Sequence, residues 1–351
     1  MYLLLAPRKI DVTCCDIEPT VLARNIVLFT LLEDGISSTT VWDIFYHFKL
    51  STHIAGILAT HARELVKLSE NCVAWRELKY GDFIKFVDAN SLFELRRFWT
   101  FYAEFPNISS VRLDKLKREQ ATVAATLADK LDGALNIGVG RSATVVWKDA
   151  SRSVSNEFKH YWMHGTTATT NKDLQKITTL NSTFCYSAAL GETFDQGLDN
   201  TFLQGFHFAP AFVPIELDPV GSNVTTAMAK AKQQFKASCA ALEASRKASA
   251  LTLRFFVGDA IALGKALNKY VKSGNPKTEV FAAPWRAAPI DLTEHVNSVP
   301  EPPLSFDVID TSLLAGMLGM VNMHQQKTLW VHTGTYQVCT SIPPNPTPPL
   351  T

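Results

Sequence analysis

The segment from Ile10 to Ile26 constrains the fold more than any other part of the sequence. It begins as a short apolar strand at Ile10–Cys15, passes through one acid, Asp16, and continues into a helix opened by Pro19. A strand that ends in a carboxylate and turns into a helix is typical of parallel sheets that hold a ribose hydroxyl at this point. The glycine-rich turn that accompanies such a site is absent before Asp16. The segment therefore predicts a nucleotide-binding type of fold more strongly than it predicts nucleotide binding.

The unit of strand, acid and helix occurs twice more in the sequence. Leu251–Val257 is a buried strand in pattern, and Asp259 and a helix follow it. Ser305–Asp310 is an apolar run that ends in a carboxylate, with a helix at Ser312–Asn322. The repetition predicts an α/β protein with a mostly parallel sheet, in which three strands lie side by side and each ends at an acid.

Hydrophobic periodicity predicts helices between these units. The first, Pro19–Leu32, is apolar on nearly every face, which indicates burial. Ser91 and Glu94 have the spacing of a capping box, so we expect a helix to begin at Ser91 and to end before Pro106. Four further helices are predicted at Thr40–Phe48, Ser51–Leu68, Arg112–Leu131 and Asn223–Ala250.

The chain divides by composition into four regions. The middle part, Ala143–Leu217, mixes aromatic residues, glycine and threonine in short runs, with a strand-like piece at Thr183–Tyr186, and reads as an irregular insertion. The residues after Met323 are rich in proline and lack periodicity, so we expect a disordered tail. The predicted regions are residues 1–135 and 251–323 for the sheet and its helices, 136–250 for the insertion and a long helix, and 324–351 for the tail.

Composition excludes several classes of protein. Apolar residues make up 46% of the chain, which is enough for a large core. The net charge is +1 with scattered basic residues, and no apolar run reaches about 18 residues, so we expect neither a nucleic-acid nor a membrane partner. None of the six cysteines forms a CxxC pair or a zinc-ligand pattern. We therefore expect a reduced, cytoplasmic protein without a metal site.

Two acids are candidate ligand-binding residues. Asp16 is placed where dinucleotide- and S-adenosylmethionine-binding sheets bond ribose hydroxyls. Asp310 lies in a loop that is beside the methyl donor in methyltransferase-like sheets. The alternative for both is a helix cap, because acids near a helix N-terminus are stabilising in themselves. The sequence leaves both interpretations open and favours the caps.

His160 and His164 are four residues apart, which would place both on one face of a helix. Zinc proteases need a glutamate after the first histidine, and Tyr161 stands there. No third ligand is evident in the sequence. We therefore predict a packed aromatic segment here and no catalytic constellation.

Four blocks of sequence together resemble the fungal domain of unknown function 4470, which often accompanies a MYND-type zinc finger and is related to the N-terminal part of dynein axonemal assembly factors. The blocks are CCDIEPTVLARNIVLFTLL from Cys14, DNTFLQGFHFAPAF from Asp199, LTLRFFVGDAIALGKAL from Leu251 and SFDVIDTSLLAGMLGMVNM from Ser305. The resemblance implies a degenerate methyltransferase-like (Rossmann-like) α/β sheet with a large central insertion. Relative to the family, the first strand with its turn and the MYND cysteines are missing, so we expect a form shortened at both ends.

The sequence supports three hypotheses about function. The favoured one is a non-catalytic interaction or assembly module that binds a protein partner. The second is an S-adenosylmethionine-dependent methyltransferase that uses Asp16 and Asp310 to bind its cofactor. The third is a shortened chain with no independent function.

Overall fold

A computed structural model provides the coordinates. It describes residues 9–130, 157, 159–187, 191–194, 225–283 and 287–308. The chain forms two units, Met1–Val257 and Gly258–Thr351. The strands are β1 (Ile10–Asp16), β2 (Lys49–Ser51), β3 (Ile84–Phe86), β4 (Ile177–Leu180), β5 (Leu251–Val257), β6 (Lys277–Phe281) and β7 (Pro289–Asp291). The helices are α1 (Pro19–Glu33), α2 (Ser38–Tyr46), α3 (Thr52–Leu68), α4 (Cys72–Glu77), α5 (Ala89–Glu104), α6 (Ser110–Lys130), α7 (Asn171–Leu174), α8 (Thr225–Lys247), α9 (Ala260–Ser273) and α10 (Thr293–Val296).

A three-stranded parallel sheet in the order β1-β5-β3 organises the first unit. β1 and β5 pair along their whole length, from Ile10 beside Leu251 to Asp16 beside Val257. The predicted strands at both places and the parallel pairing between them are therefore confirmed. The α/β class is confirmed as well, with a small sheet among many helices.

The third strand of this sheet is not the predicted one. Residues 305–308 of the predicted strand Ser305–Asp310 are bends and irregular backbone, so that prediction is wrong for them. Asp310 itself, the helix expected at Ser312–Asn322 and the tail lie outside the described residues. The strand beside β5 is β3 instead. Its sequence did not predict a strand, because three residues with a lysine at the centre show no periodicity.

Helices α1 and α5 cover one face of the sheet and pack against each other. The indole of Trp99 on α5 donates a hydrogen bond to the carbonyl oxygen of Ala23 on α1 at 3.2 Å. The same indole ring stacks on Trp75 of α4 with 6.1 Å between the ring centroids. Every second residue of β5, from Leu251 to Val257, belongs to the apolar core under these helices. The helix α1, predicted to be apolar on nearly every face, thus lies in the core of the first unit.

A second, antiparallel pair of strands, β2 and β4, lies beside an aromatic cluster around Phe48. Phe48 stacks on Trp162 at 5.2 Å between centroids and meets Phe184 edge-on at 4.8 Å. The strand predicted at Thr183–Tyr186 is wrong, because Ser182–Phe184 is a 3₁₀ turn. The side chain of Asn181 caps that turn, and this local bond favours the turn over a strand.

The second unit contains α9, the antiparallel strands β6 and β7, and α10. Asp259 caps α9, and Gly274 ends it in the left-handed conformation at φ +67°, where glycine costs least. Within the described residues, no helix has both the length and the apolar character needed to cross a bilayer.

Candidate functional site

The carboxyl end of the parallel sheet is the place where such folds bind ligands. Asp16 ends β1 there, and its Oδ1 accepts a hydrogen bond from the amide of Glu18 at 2.8 Å. The carboxylate of Glu18 in turn accepts from the amide of Thr20 at 3.3 Å and from its hydroxyl at 2.7 Å. Glu18 is therefore the N-cap of α1, and Asp16 holds the turn that leads to the cap. Asp16 therefore lies at the end of β1, as the sequence indicated, but the cap that the sequence favoured for Asp16 is Glu18, two residues later.

Asp88 occupies the equivalent place after β3, and sequence analysis missed it. Its Oδ1 accepts from the amide of Ser91 at 2.7 Å and from the Ser91 hydroxyl at 2.5 Å, which makes Asp88 the N-cap of α5. The capping box predicted to start at Ser91 is therefore wrong by three residues. The signal that could have found the true cap is the same spacing read one turn earlier, with Asp88 as the cap and Ser91 at the third helical position.

Ser91 also ties α5 to the middle of the sheet. Its hydroxyl oxygen accepts a hydrogen bond from the amide of Val257, the last residue of β5, at 2.9 Å. Ser91 and Val257 are both fully buried. Ser91 therefore satisfies a strand amide that would otherwise end the sheet unbonded, and it occupies the point above β5 where a ligand would lie.

The other two predicted acids, Asp259 and Asp310, both belong to the second unit. Asp259 lies in the second unit, and its Oδ1 accepts from the amide of Ile261 at 2.7 Å as the cap of α9. Asp310 lies outside the described residues. In the first unit, β1 and β3 flank β5, so the ends that carry Asp16 and Asp88 are about 10 Å apart.

A buried polar network links α2 to the loop at residues 165–168. Nδ1 of His47 lies 3.2 Å from Oδ1 of Asp43, and Nε2 lies 2.8 Å from the hydroxyl of Thr167. The amide of Thr167 donates to Nε2 at 3.2 Å, which requires a neutral imidazole at that nitrogen. Burial, with a smaller effect from Lys232, lowers the pKa of His47 to about 3. Burial also raises the pKa of Asp43 to about 6, against the charge of Lys232.

This network carried no local signal in the sequence, because His47 and Thr167 are 120 positions apart. Its order of carboxylate, imidazole and hydroxyl resembles a catalytic relay. His47 is only 3% exposed and Thr167 only 8% exposed, so the network lies beneath the surface. Its amide and hydroxyl bonds fasten the loop to α2.

A second polar cluster surrounds Asp34 at the end of α1. Tyr80 donates to both carboxylate oxygens of Asp34 at 2.9 Å, and Lys79 lies 2.6 Å away. His61 approaches from α3 at 3.5 Å and its other ring nitrogen bonds the hydroxyl of Thr30 at 2.7 Å. Burial alone would raise the pKa of Asp34, but hydrogen bonds from its neighbours outweigh it and lower the pKa to about 2. The cluster joins α1 and α3 to the segment before β3.

The face of the sheet opposite α1 carries a buried ion pair. Arg254 of β5 is fully buried, and its guanidinium donates two bonds, at 2.9 and 2.8 Å, to the carboxylate of Asp11 on β1. Lys85 of β3 lies beside Arg254 in register, and its ammonium donates to the carbonyl oxygen of Gly81. Burial and the charge of Arg254 lower the pKa of Lys85.

The rings of His160 and His164 are 4.3 Å apart. Nε2 of His160 bonds the carbonyl oxygen of Ala168 at 2.8 Å. Tyr161 and Trp162 between them are buried in the core, as predicted for a packed aromatic segment. The part of the chain that the structure describes contains no group of three potential metal ligands.

The segment that carries Asp16, Glu18 and His47 has a counterpart among known families. Residues 4–50 match DUF4470, a domain of unknown function. The DUF4470 segment contains β1, α1 and α2 and reaches into β2, so it supplies the edge of the sheet and one of its covering helices. The resemblance to this domain is confirmed over these residues. No curated protein and no solved structure matches the chain.

Proposed function

We propose that the chain is a non-catalytic interaction or assembly module built on a degenerate methyltransferase-like sheet. One observation supports this most directly: the polar side chains at the carboxyl end of the first unit's sheet serve the fold itself. Glu18 and Asp88 cap helices, Asp16 holds a turn, and Ser91 bonds the end of β5. These side chains bind main-chain groups of the protein itself, at positions where a ligand-binding sheet would bind its ligand.

The packing of α1 and α5 supports the same proposal. Ligands in open α/β sheets bind in a crevice outside the carboxyl ends of the strands. In the first unit, α1 follows β1 and α5 follows β3, and both lie on one face in direct contact. The contact between Trp99 and Ala23 fills the space between these two helices with protein atoms.

The buried relay of Asp43, His47 and Thr167 gives no support to hydrolysis. A nucleophile must reach its substrate, whereas the Thr167 hydroxyl accepts a bond from the Trp42 indole at 3.4 Å and contacts His47 below the surface. The loop that contains it also receives the amide of Phe48, which donates to the carbonyl of Gly165 at 2.8 Å. The relay therefore stabilises a loop and a helix.

The compartment and the partner follow from the same proposal. The thiols of Cys14, Cys185 and Cys239 are free, and burial raises the pKa of each, which suits small packing residues in the reducing cytoplasm. The partner of an assembly module of this kind is another protein surface.

The methyltransferase hypothesis keeps one point in its favour, since Asp16 ends β1 at the predicted place and is partly exposed. Isothermal titration with S-adenosylmethionine and with its demethylated product separates the two hypotheses. We expect no binding heat at micromolar concentrations. Binding that is lost in Asp16→Ala and kept in Asp114→Ala, an exposed acid on α6, would overturn the proposal.

A further inference from the structure

β1 forms one edge of the central sheet. Among the described residues it pairs only with β5. The amide of Ile10 donates to the carbonyl oxygen of Ala250 at 2.7 Å, toward β5. Because amides alternate in direction along a strand in a parallel ladder, the amides and carbonyls of Asp11 and Thr13 point to the outer edge. These groups are a template for another strand.

The side chains of β1 do little to prevent another strand from pairing with this edge. Ile10 is 48% exposed and Val12 is 39% exposed, and the two lie on the same face of the strand. Edge strands commonly protect themselves with charged side chains. The one charge in the middle of β1, Asp11, is neutralised by two hydrogen bonds from Arg254. The hydroxyl of Thr13 is shielded from solvent and has no hydrogen-bond partner among the described residues, so Thr13 offers a partner its main chain and not its hydroxyl.

We propose that the outer edge of β1 pairs with β1 of a second copy of this chain, in antiparallel register about a two-fold axis at Val12. This names a partner for the interaction module proposed above and rests on that function. In this register Asp11 of each copy exchanges both main-chain hydrogen bonds with Thr13 of the other copy. The two Val12 side chains meet at the axis, where opposite Cα atoms in such a pair are about 4.5 Å apart.

The choice of a second copy follows from how β1 matches itself. Ile10 meets Cys14 on the apolar face, and Val12 meets Val12. On the other face the Thr13 side chain lies opposite the Asp11 carboxylate, which keeps its bonds from Arg254. No two like charges are opposite each other, and the interface is isologous, as in most homodimers.

Two variants of Val12 test both the partner and the register. The mass of the wild-type chain, measured by multi-angle light scattering after size exclusion at increasing concentration, should rise from 38.8 kDa toward twice that value. Val12→Lys and Val12→Glu should each remain monomeric, because like charges then face each other across the axis. An equimolar mixture of the two variants should recover the doubled mass, because unlike charges then meet.

Val73→Lys is the matched control, since Val73 is 60% exposed on α4, away from the edge strand, and should leave association unchanged. Circular dichroism melts of each variant check that it is folded. A wild-type mass that stays at one copy up to high concentration overturns the proposal, as does a mixture that remains monomeric. Both of these monomeric outcomes are expected if the edge of β1 pairs instead with a strand of another protein or with another part of this chain. Cofactor binding in the titration above is a separate result, so the failure of the proposed function and that of the dimer are distinguishable.

Discussion

Removing the hydroxyl of Ser91 tests whether the carboxyl end of the sheet is closed by the fold itself. In Ser91→Ala the helix α5 keeps its cap at Asp88, whose Oδ1 still accepts from the amide of residue 91. The variant loses only the bond from the hydroxyl to Asp88, at 2.5 Å, and the bond from the Val257 amide to the hydroxyl, at 2.9 Å. The change therefore isolates the link between α5 and β5.

The cost of these two losses can be worked out from their surroundings. The bond to the Asp88 carboxylate is charge-assisted, and such bonds contribute about 1.5–3 kcal/mol. The Val257 amide is fully buried, and a buried donor left without an acceptor costs about 1–3 kcal/mol. We expect the free energy of unfolding to fall by about 3–5 kcal/mol.

Urea denaturation followed by tryptophan fluorescence measures this loss, because Trp75 and Trp99 are buried in the same unit. Ser245→Ala on α8 is the matched control. Its exposed hydroxyl bonds only the carbonyl oxygen of Ala241 at 2.9 Å, so the expected change is below about 0.5 kcal/mol. A Ser91→Ala variant as stable as Ser245→Ala would refute the claim that Ser91 closes the end of β5.

Three further changes test other parts of the structure. Between about pH 6 and 4, folded Asp43 holds one proton, and unfolded His47 holds one, so the two balance and the stability of the wild type changes little with pH. Asp43→Asn removes the first proton. Its free energy of unfolding, measured in urea titrations, should therefore fall by about 1.4 kcal/mol more than that of the wild type for each pH unit of acidification. Arg254→Met should cost about 3–5 kcal/mol in the same assay, because it leaves Asp11 without its buried partner, and much less when combined with Asp11→Asn. Gly81→Ala should lower the melting temperature at a cost of about 1–3 kcal/mol, because its Cβ would overlap the backbone carbonyls before it.

Each of these changes has a control and an outcome that contradicts it. His53→Gln, at an exposed position on α3, should show the pH dependence of the wild type, and an equal slope in Asp43→Asn would contradict the assigned proton uptake. Strict additivity of the Arg254 and Asp11 changes would show that the ion pair contributes no coupling. Gly56→Ala is the control for Gly81→Ala, because a Cβ at Gly56, within α3, meets open space and should stabilise the protein by about 0.5–1 kcal/mol. If both alanine variants changed the melting temperature in the same way, a steric cause at Gly81 would be ruled out.

The parts of the fold that could be predicted are those with a long, uninterrupted pattern. β1 and β5 each contain seven residues, and α1 begins at a proline, so their types and positions follow from hydrophobicity and capping chemistry. β3 has three residues with Lys85 in the middle, and its strand conformation comes from pairing with β5. Tertiary contact decides such short segments, and no local pattern reveals them.

The candidate site shows the same division. Asp16 could be placed at the end of β1 from sequence, because the acid follows an apolar run directly. Its bond to the Glu18 amide could not, since aspartate is the better N-cap by preference and only the backbone geometry of the turn places the cap at Glu18. The network of His47 and Thr167 depends on residues distant in the chain, and such pairs become visible only once the fold brings them together.

The order β1-β5-β3 has a consequence for how the protein is made. The central strand is the last of the three to leave the ribosome, more than 150 residues after β3 and more than 200 after β1. During synthesis the two flanking strands must wait without their shared neighbour, with their backbone edges open to chaperones or to other nascent chains. A fragment that stops before Leu251 lacks the strand that joins them, so the DUF4470 segment should depend on the distant end of this unit to complete its folding.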